Sequence, residues 1–277
     1  MSQDIQTYYG LQWNPFTTDK PIEGIVTSER WNQFFWRIEN LIMDGGFGMI
    51  TGDPGVGKST TMRALFDKIA QIKDVQVQQL TRPQSGLTDF YRELGQLFNL
   101  DLKVSNRYSG YSALREKWQS HINTALLRPV LLIDEAQEMQ TPTMSELRLL
   151  MSKRFDSEIL LTVIFAGDLR LPKKFQDEAL QPIGSRIRTR LAIDPPSKQE
   201  LIQLMHQLLK QAGRPDLMTD ELINTLTELS LQNPRTLMNY SIEILNLGFK
   251  KRVKILDVDL FFELYPPHSK PRKPTKH

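Results

Sequence analysis

The chain has 277 residues, 40% of them hydrophobic and 24% charged, enough to bury one substantial core and a smaller second module. It contains no cysteine, which excludes a disulfide framework and any thiolate metal site and fits a reducing compartment. The net charge of +3 is concentrated in residues 266–277, where Lys270, Arg272, Lys273 and Lys276 stand without an acid and exceed the whole surplus; this basic tail is expected to be disordered.

Further exclusions come from pattern. His121, His206, His268 and His277 lack metal-ligand spacing. No run approaches the eighteen apolar residues of a membrane span, and the first residues carry no basic and apolar leader pattern. A cytoplasmic protein without membrane contact is therefore expected.

In chain order, residues 1–26 read as an N-terminal linker segment, loop-like around Trp13-Asn14-Pro15-Phe16. Ser28 to Met43 carry apolar residues at helical spacing and stop at Gly45-Gly46. Phe47 to Thr51 form a short strand, followed by Gly52-Asp53-Pro54-Gly55-Val56-Gly57-Lys58-Ser59 and a helix to Ile72. That octapeptide is G-x-x-x-x-G-K-[ST], the phosphate-binding loop. Its glycines let the backbone wind closely around a polyphosphate, so that consecutive N–H groups and the following helix dipole meet negative charge. The cradle is assigned to residues 52–60, ending at Thr60, with Lys58 reaching the β- and γ-phosphates and Ser59 ligating Mg²⁺. ATP and Mg²⁺ are the expected ligands.

Val75 to Leu80 read as a second strand, Leu87 to Phe98 and Tyr111 to Leu127 as helices. Val130 to Ile133 form a continuous apolar strand ending in Asp134-Glu135. Two acids beside a phosphate loop supply what hydrolysis needs: Asp134 to hold Mg²⁺, mostly through water, and Glu135 as general base toward an in-line water. Thr141-Pro142 reads as a helix cap with proline at the first helical position. Ile159 to Phe165 and a short Leu191 to Ile193 read as the last strands. This alternation predicts an α/β fold over residues 27–195, a parallel sheet flanked by helices. From Ser197 helical periodicity takes over, opened by the capping box Ser197-Lys198-Gln199-Glu200. Residues 196–265 are expected to form a small all-helical lid.

With these two motifs and the appended helices, the chain resembles an AAA+ ATPase. The opening Tyr9-Gly10-Leu11 through Asn14-Pro15-Phe16 is similar to the ExeA-type branch, related to transposition helper ATPases of the Mu target-selection, insertion-sequence helper and Tn7-type families. The resemblance implies that Asp168, in Phe165-Ala166-Gly167-Asp168, stands where a γ-phosphate sensor belongs, although asparagine, threonine or glutamine is more usual. It implies that Arg186, in Ile183-Gly184-Ser185-Arg186-Ile187-Arg188-Thr189-Arg190, is an arginine finger acting from a neighbouring subunit, with Arg188 and Arg190 read as a surface charge row. Arg235, in Asn233-Pro234-Arg235, matches the second sensor; Gln232 precedes it where the family often has glycine. Pro15 and Phe16 fall near the adenine by the same resemblance, although Phe16 and Trp13 fit plain core equally. A finger in trans implies a homo-oligomer, either a ring or a helical filament.

The resemblance further implies duplex DNA as a partner, bound mainly through its phosphate backbone, and a transposase to recruit or activate. Arg82, Lys103, Arg107, Lys153 and Arg154 are the candidate DNA contacts, with Lys250-Lys251-Arg252 and Lys254 clustered on the lid. Two alternatives stand beside this. One is a secretion-associated ATPase, although that branch continues into a membrane segment and cell-wall module that do not follow here before His277. The other is a nucleotide switch acting on a protein partner.

Overall fold

The computed structural model describes residues 2–102, 107–154 and 157–266; Lys103 and the basic tail lie outside them. The chain opens on α1 (Ser2–Tyr9). Next come α2 (Glu29–Asp44), β1 (Gly46–Gly52), α3 (Lys58–Ala70), β2 (Val75–Leu80), α4 (Leu87–Leu97), α5 (Arg107–Thr124) and β3 (Arg128–Ile133). After a 3₁₀ turn at Ala136–Glu138 follow α6 (Thr141–Met151), β4 (Ser152–Lys153), β5 (Glu158–Ile159), β6 (Thr162–Gly167), α7 (Arg170–Lys174), α8 (Gln181–Gly184) and β7 (Ile187–Ile193). Four helices close the chain: α9 (Lys198–Gln211), α10 (Asp220–Leu229), α11 (Pro234–Lys251) and α12 (Val258–Leu264). Two compact units result, Thr27–Pro195 and a second that combines Met1–Val26 with Pro196–His277.

The first unit is built on a five-stranded sheet in the order β2-β3-β6-β1-β7, parallel at every pairing. Successive strand residues face opposite sides. Phe47, Met49, Leu131, Ile133, Val163 and Phe165 accordingly join one core with Phe90, Leu94, Trp118 and Leu147 of α4, α5 and α6. On the other face Gly48 lies against Ile38 of α2 and Ile164. Coverage on both faces makes β6 buried throughout, which is why its sequence is continuously apolar rather than alternating. Parallel alignment sends the C-terminal ends of β1, β3 and β6 to one edge of the sheet, with β6 between the other two.

Three details differ from the sequence reading. The Ile159 to Phe165 run is not one strand: β5 pairs antiparallel with β4, and Leu160 N–H continues that hairpin by donating to the Met151 carbonyl at 2.8 Å. Leu160 and Leu161 are buried there, so an apolar run marked burial without marking extension. β7 is longer than its apolar end, because Arg188 and Arg190 alternate outward at the sheet edge while Ile187, Thr189 and Leu191 face inward. At α6 the cap is Gln140 and Thr141 is the first helical residue.

In the second unit, residues 1–26 do more than link. Tyr9, Leu11 and Phe16 are buried in one core with Leu201, Met205, Leu222, Leu237, Ile244 and other residues of the C-terminal helices. Gln12 N–H donates to the Ala212 carbonyl at 3.0 Å. The helices have side-chain caps: the Ser197–Glu200 box, Thr219 for α10, Asn233 for α11 and Asp257 for α12, each worth about 1 kcal/mol.

Candidate nucleotide site

The loop between β1 and α3 takes a conformation that its glycines permit. Gly55 and Gly57 have φ of 88° and 108°, where L side chains are strained. A Cβ on Gly52 would lie 2.6 Å from the Ile193 carbonyl oxygen of β7. Lys58 is buried, and its Nζ donates to the carbonyls of Gly52 and Asp53, both at 3.0 Å, wrapping the loop back on itself. The first turn of α3 holds no acid and its N-cap Gly57 makes no side-chain cap bond, so its N–H groups face the loop without a competing side-chain anion. These features fit a polyphosphate. Ser59 is exposed on that first turn, while Trp31 of α2 comes within 3.8 Å of the Cβ position of Gly57.

The two acids follow β3. Strands lie about 4.8 Å apart, so the end of β3 is roughly 10 Å from the end of β1 across β6, a span suited to a metal and phosphate between them. Asp134 is half-buried and its Oδ1 accepts from Glu135 N–H at 2.9 Å. Ser59 and Asp134 are hard oxygen donors of the type that holds Mg²⁺ together with phosphate and water. Glu135 is exposed in a left-handed conformation, φ 50° and ψ 38°. It opens onto a cleft of about 530 Å³ also lined by Thr81, Pro83, Gln84, Asp134 and Glu138.

Asp168 at the end of β6 is not a bare anion. Arg170 Nε donates to its two carboxylate oxygens at 3.1 and 2.9 Å, Arg170 N–H adds a bond at 2.8 Å, and Arg170 Nη2 reaches Glu138 Oε1 at 2.7 Å. The Arg170 bond holds the Asp168 carboxyl below its usual range, with a smaller contribution from the charge of Lys58. Sequence reasoning missed Arg170, whose only signal was a cation two residues from an unexpected acid. It also missed Gln137, which is buried and bonded to both the Glu135 carboxylate and Asp168 N–H.

Arg186 lies at the opposite end of the sheet. Phe47 pairs with Ile187, which places Arg186 beside Gly46, six residues or about 20 Å along β1 from Gly52. There Arg186 donates to the Pro182 carbonyl at 2.5 Å and shares a cavity of about 100 Å³ with Arg148 and Arg188. Arg188 approaches Asp44 at 3.9 Å, and Arg190 Nη2 donates to the Gly184 carbonyl at 3.0 Å.

The remaining candidates are dispersed. Arg235 is exposed at the start of α11, its N–H accepted by Asn233 Oδ1 at 3.0 Å. Gln232 before it has φ 61°, the left-handed conformation that explains a family preference for glycine. Pro15 and Phe16 are buried within the second unit, Phe16 in its apolar core. Arg82 is exposed in the loop after β2. Lys153 and Arg154 both ion-pair with Glu158, at 3.8 and 3.5 Å. The structure places Arg107 at the start of α5 without describing its side chain. In the second unit, Lys251 pairs with Glu263, and Lys254 lies 3.8 Å from the Tyr8 ring centroid.

Phosphate loop, acidic strand end and sheet order together specify a P-loop architecture, and comparison with known proteins extends it. Residues 41–175 match the family model described as AAA domain. This AAA match runs from the end of α2 to α7 and contains the loop, the acid pair and Asp168. General secretion pathway protein A of Aeromonas hydrophila is 26% identical over 234 residues, covering 82% of this chain and 42% of that protein. The chain thus spans about two fifths of the length of that curated relative. Among solved structures, the Aeropyrum pernix ORC2 protein in ADPNP–ADP complexes gives a TM-score of 0.72 at 13% identity, over 90% of this chain and 70% of that one. Drosophila ORC bound to DNA gives 0.64 at 15% identity, over 95% and 66%. A RuvB variant of Thermotoga maritima gives 0.59 at 15% identity, over 90% and 72%. At these identities the structural likeness establishes the α/β fold with its parallel sheet and helical appendage. Among the described residues, no helix is long and apolar enough to cross a membrane.

Proposed function

We propose that the chain is an ATPase in which residues 52–60 hold the triphosphate, Ser59 and Asp134 hold Mg²⁺, and Glu135 is the general base. The observation that carries this reading is the convergence of the phosphate loop, Asp134-Glu135 and Asp168 at one end of adjoining parallel strands. Mg²⁺, held by Ser59 and Asp134, would supply charge neutralisation to the triphosphate. Lys58 trades its two loop carbonyls for phosphate oxygens, and Glu135 accepts a proton from water entering by the adjacent cleft. Asp168 with Arg170 orients polar groups near the γ-phosphate, its negative charge offset by the guanidinium.

Arg186 lies about 20 Å from the phosphate loop of its own chain, so we assign it to the site of a neighbour in a head-to-tail homo-oligomer, ring or filament. Arg235 is proposed as the second sensor. The test is complementation: Lys58→Ala and Arg186→Ala are each inactive alone. Mixed one to one, about a quarter of randomly formed interfaces pair an intact loop with an intact arginine and turnover reappears at that level. A mixture as inactive as its components overturns the assignment in trans.

As the target we propose duplex DNA, held by its phosphates, in a transposition helper with a transposase partner. Exposed Arg82, Lys250 and Arg252 support it, and the Drosophila ORC of the same fold is bound to DNA in its structure; the pairing of Lys153 and Arg154 with Glu158 and of Lys251 with Glu263 moves weight away from those three. A secretion-associated role is the second reading, favoured by the similarity to general secretion pathway protein A. ATP-dependent assembly on random-sequence duplex, weakening steeply with salt, is expected under the first. Absence of binding in every nucleotide state transfers the function to the second.

A further inference from the structure

The acid after β3 is joined to the end of β6 by one side chain. Gln137 sits in the 3₁₀ turn that follows Glu135 and is 8% exposed. Its Oε1 accepts from Asp168 N–H at 3.2 Å, and its Nε2 donates to Glu135 Oε2 at 2.5 Å. This orientation is fixed by chemistry, because a backbone N–H can only donate and an ionised carboxylate can only accept. A flipped amide would lose both bonds. The space is shared as well: a Cβ on Gly167 would overlap Gln137 Oε1, so an alanine at 167 must push the amide from its present place.

The turn is anchored to the same segment at further points. Lys174 Nζ donates to the Gln137 carbonyl at 2.9 Å and to the Met139 carbonyl, and Arg170 bridges Glu138 to Asp168. Glu135 itself is exposed and held in a left-handed conformation, which costs a non-glycine residue about 1–2 kcal/mol. An exposed carboxylate on such a backbone does not keep one orientation unless something holds it.

We infer that Gln137 is the positioning residue for Glu135, clamping its carboxylate to the end of β6. The inference rests on the reading of Glu135 as general base. The link to Asp168 N–H makes the direction of the carboxylate follow the backbone of residues 167–168, beside the phosphate site, so that a shift there is transmitted to the base.

The test is ATP turnover and ATP binding by the full chain carrying Gln137→Leu, Gln137→Glu, Gly167→Ala or Glu135→Gln. Gln137→Glu keeps the size of the side chain but removes the donor and adds like charge; Gly167→Ala displaces the amide from the opposite side. We expect kcat lowered about 10- to 100-fold in the Gln137 and Gly167 variants, with ATP affinity at the wild-type value. The loss of kcat is larger for Gln137→Glu than for Gln137→Leu, because the new carboxylate repels that of Glu135 as well as withdrawing the donor. Damage to packing alone would lower Tm and ATP affinity together with kcat. If Glu135→Gln is inactive while the folded Gln137 and Gly167 variants keep the wild-type kcat, the positioning role is overturned and the base survives. Wild-type turnover by Glu135→Gln removes both.

Discussion

Gly52→Ala tests whether the site and the sheet share their geometry. A Cβ at this position lies 2.6 Å from the Ile193 carbonyl oxygen and 2.8 Å from Val56 Cγ2, where ordinary contact begins at 3.4 Å. Gly52 and Ile193 are register partners in the β1–β7 ladder, so no rotamer change relieves the clash and the backbones must part by most of an ångström. Overpacking of this kind costs about 1–3 kcal/mol, a fall in Tm of roughly 2–12 °C for a unit of this size. Gly52 opens the phosphate loop that ends at Lys58, so the same displacement shifts the backbone from which Lys58 would reach phosphate. A hydrogen bond to a charged group is worth about 1.5–3 kcal/mol, so loss of one lysine–phosphate contact raises Kd about 10- to 150-fold.

Gly48→Ala is the comparison. Its Cβ meets the ends of two flexible side chains, Ile38 Cδ1 at 2.8 Å and Ile164 Cδ1 at 2.9 Å, while the Thr189 carbonyl oxygen stands at 3.7 Å. It should lower Tm and leave Kd unchanged. Calorimetry reads the first quantity. Trp31 fluorescence during nucleotide titration reads the second, since that indole lies against the loop. Wild-type affinity in Gly52→Ala, or equal loss of affinity in Gly48→Ala, refutes the reasoning.

Two further outcomes are expected. Gln232→Gly releases a left-handed strain of about 1–2 kcal/mol against an unfolded-state gain of about 0.5–1 kcal/mol for glycine. Its stability should be unchanged or up to about 1.5 kcal/mol higher, and a clear fall in Tm would contradict the strain. Arg170 holds Asp168 below the ordinary carboxylate range, so this pairing stabilises the fold above about pH 4 and is lost as pH falls through the lowered pKa. The Tm difference between wild type and Arg170→Ala should accordingly narrow in strong acid; a gap constant down to pH of about 2 excludes it.

How much of this was readable in the sequence depends on what each residue reports. The phosphate loop and Asp134-Glu135 are local patterns, and parallel pairing sends the ends of their strands to the same end of the sheet. The capping box at Ser197 is local too, and it forms as read. β7 was truncated because its arginines alternate with inward residues at a sheet edge, so apolar content alone marks only its last three residues. Phe16 was open between ligand and core until the burial of residues 1–26 among the C-terminal helices placed it in the core. Gln137 and Arg170 carried no pattern, since each acts by joining segments about thirty residues apart, to Asp168 and to Glu138 respectively. Such links depend on strand order, which the sequence does not print.

The central claim is that Glu135 turns a nucleotide-binding fold into a hydrolase, and the direct measurement is ATP binding and turnover by wild type and Glu135→Gln side by side. Wild type should hydrolyse ATP in the presence of Mg²⁺, while Glu135→Gln binds it equally well and turns over at least about 100-fold more slowly. Equal turnover by the two proteins, or none by either, would contradict the account.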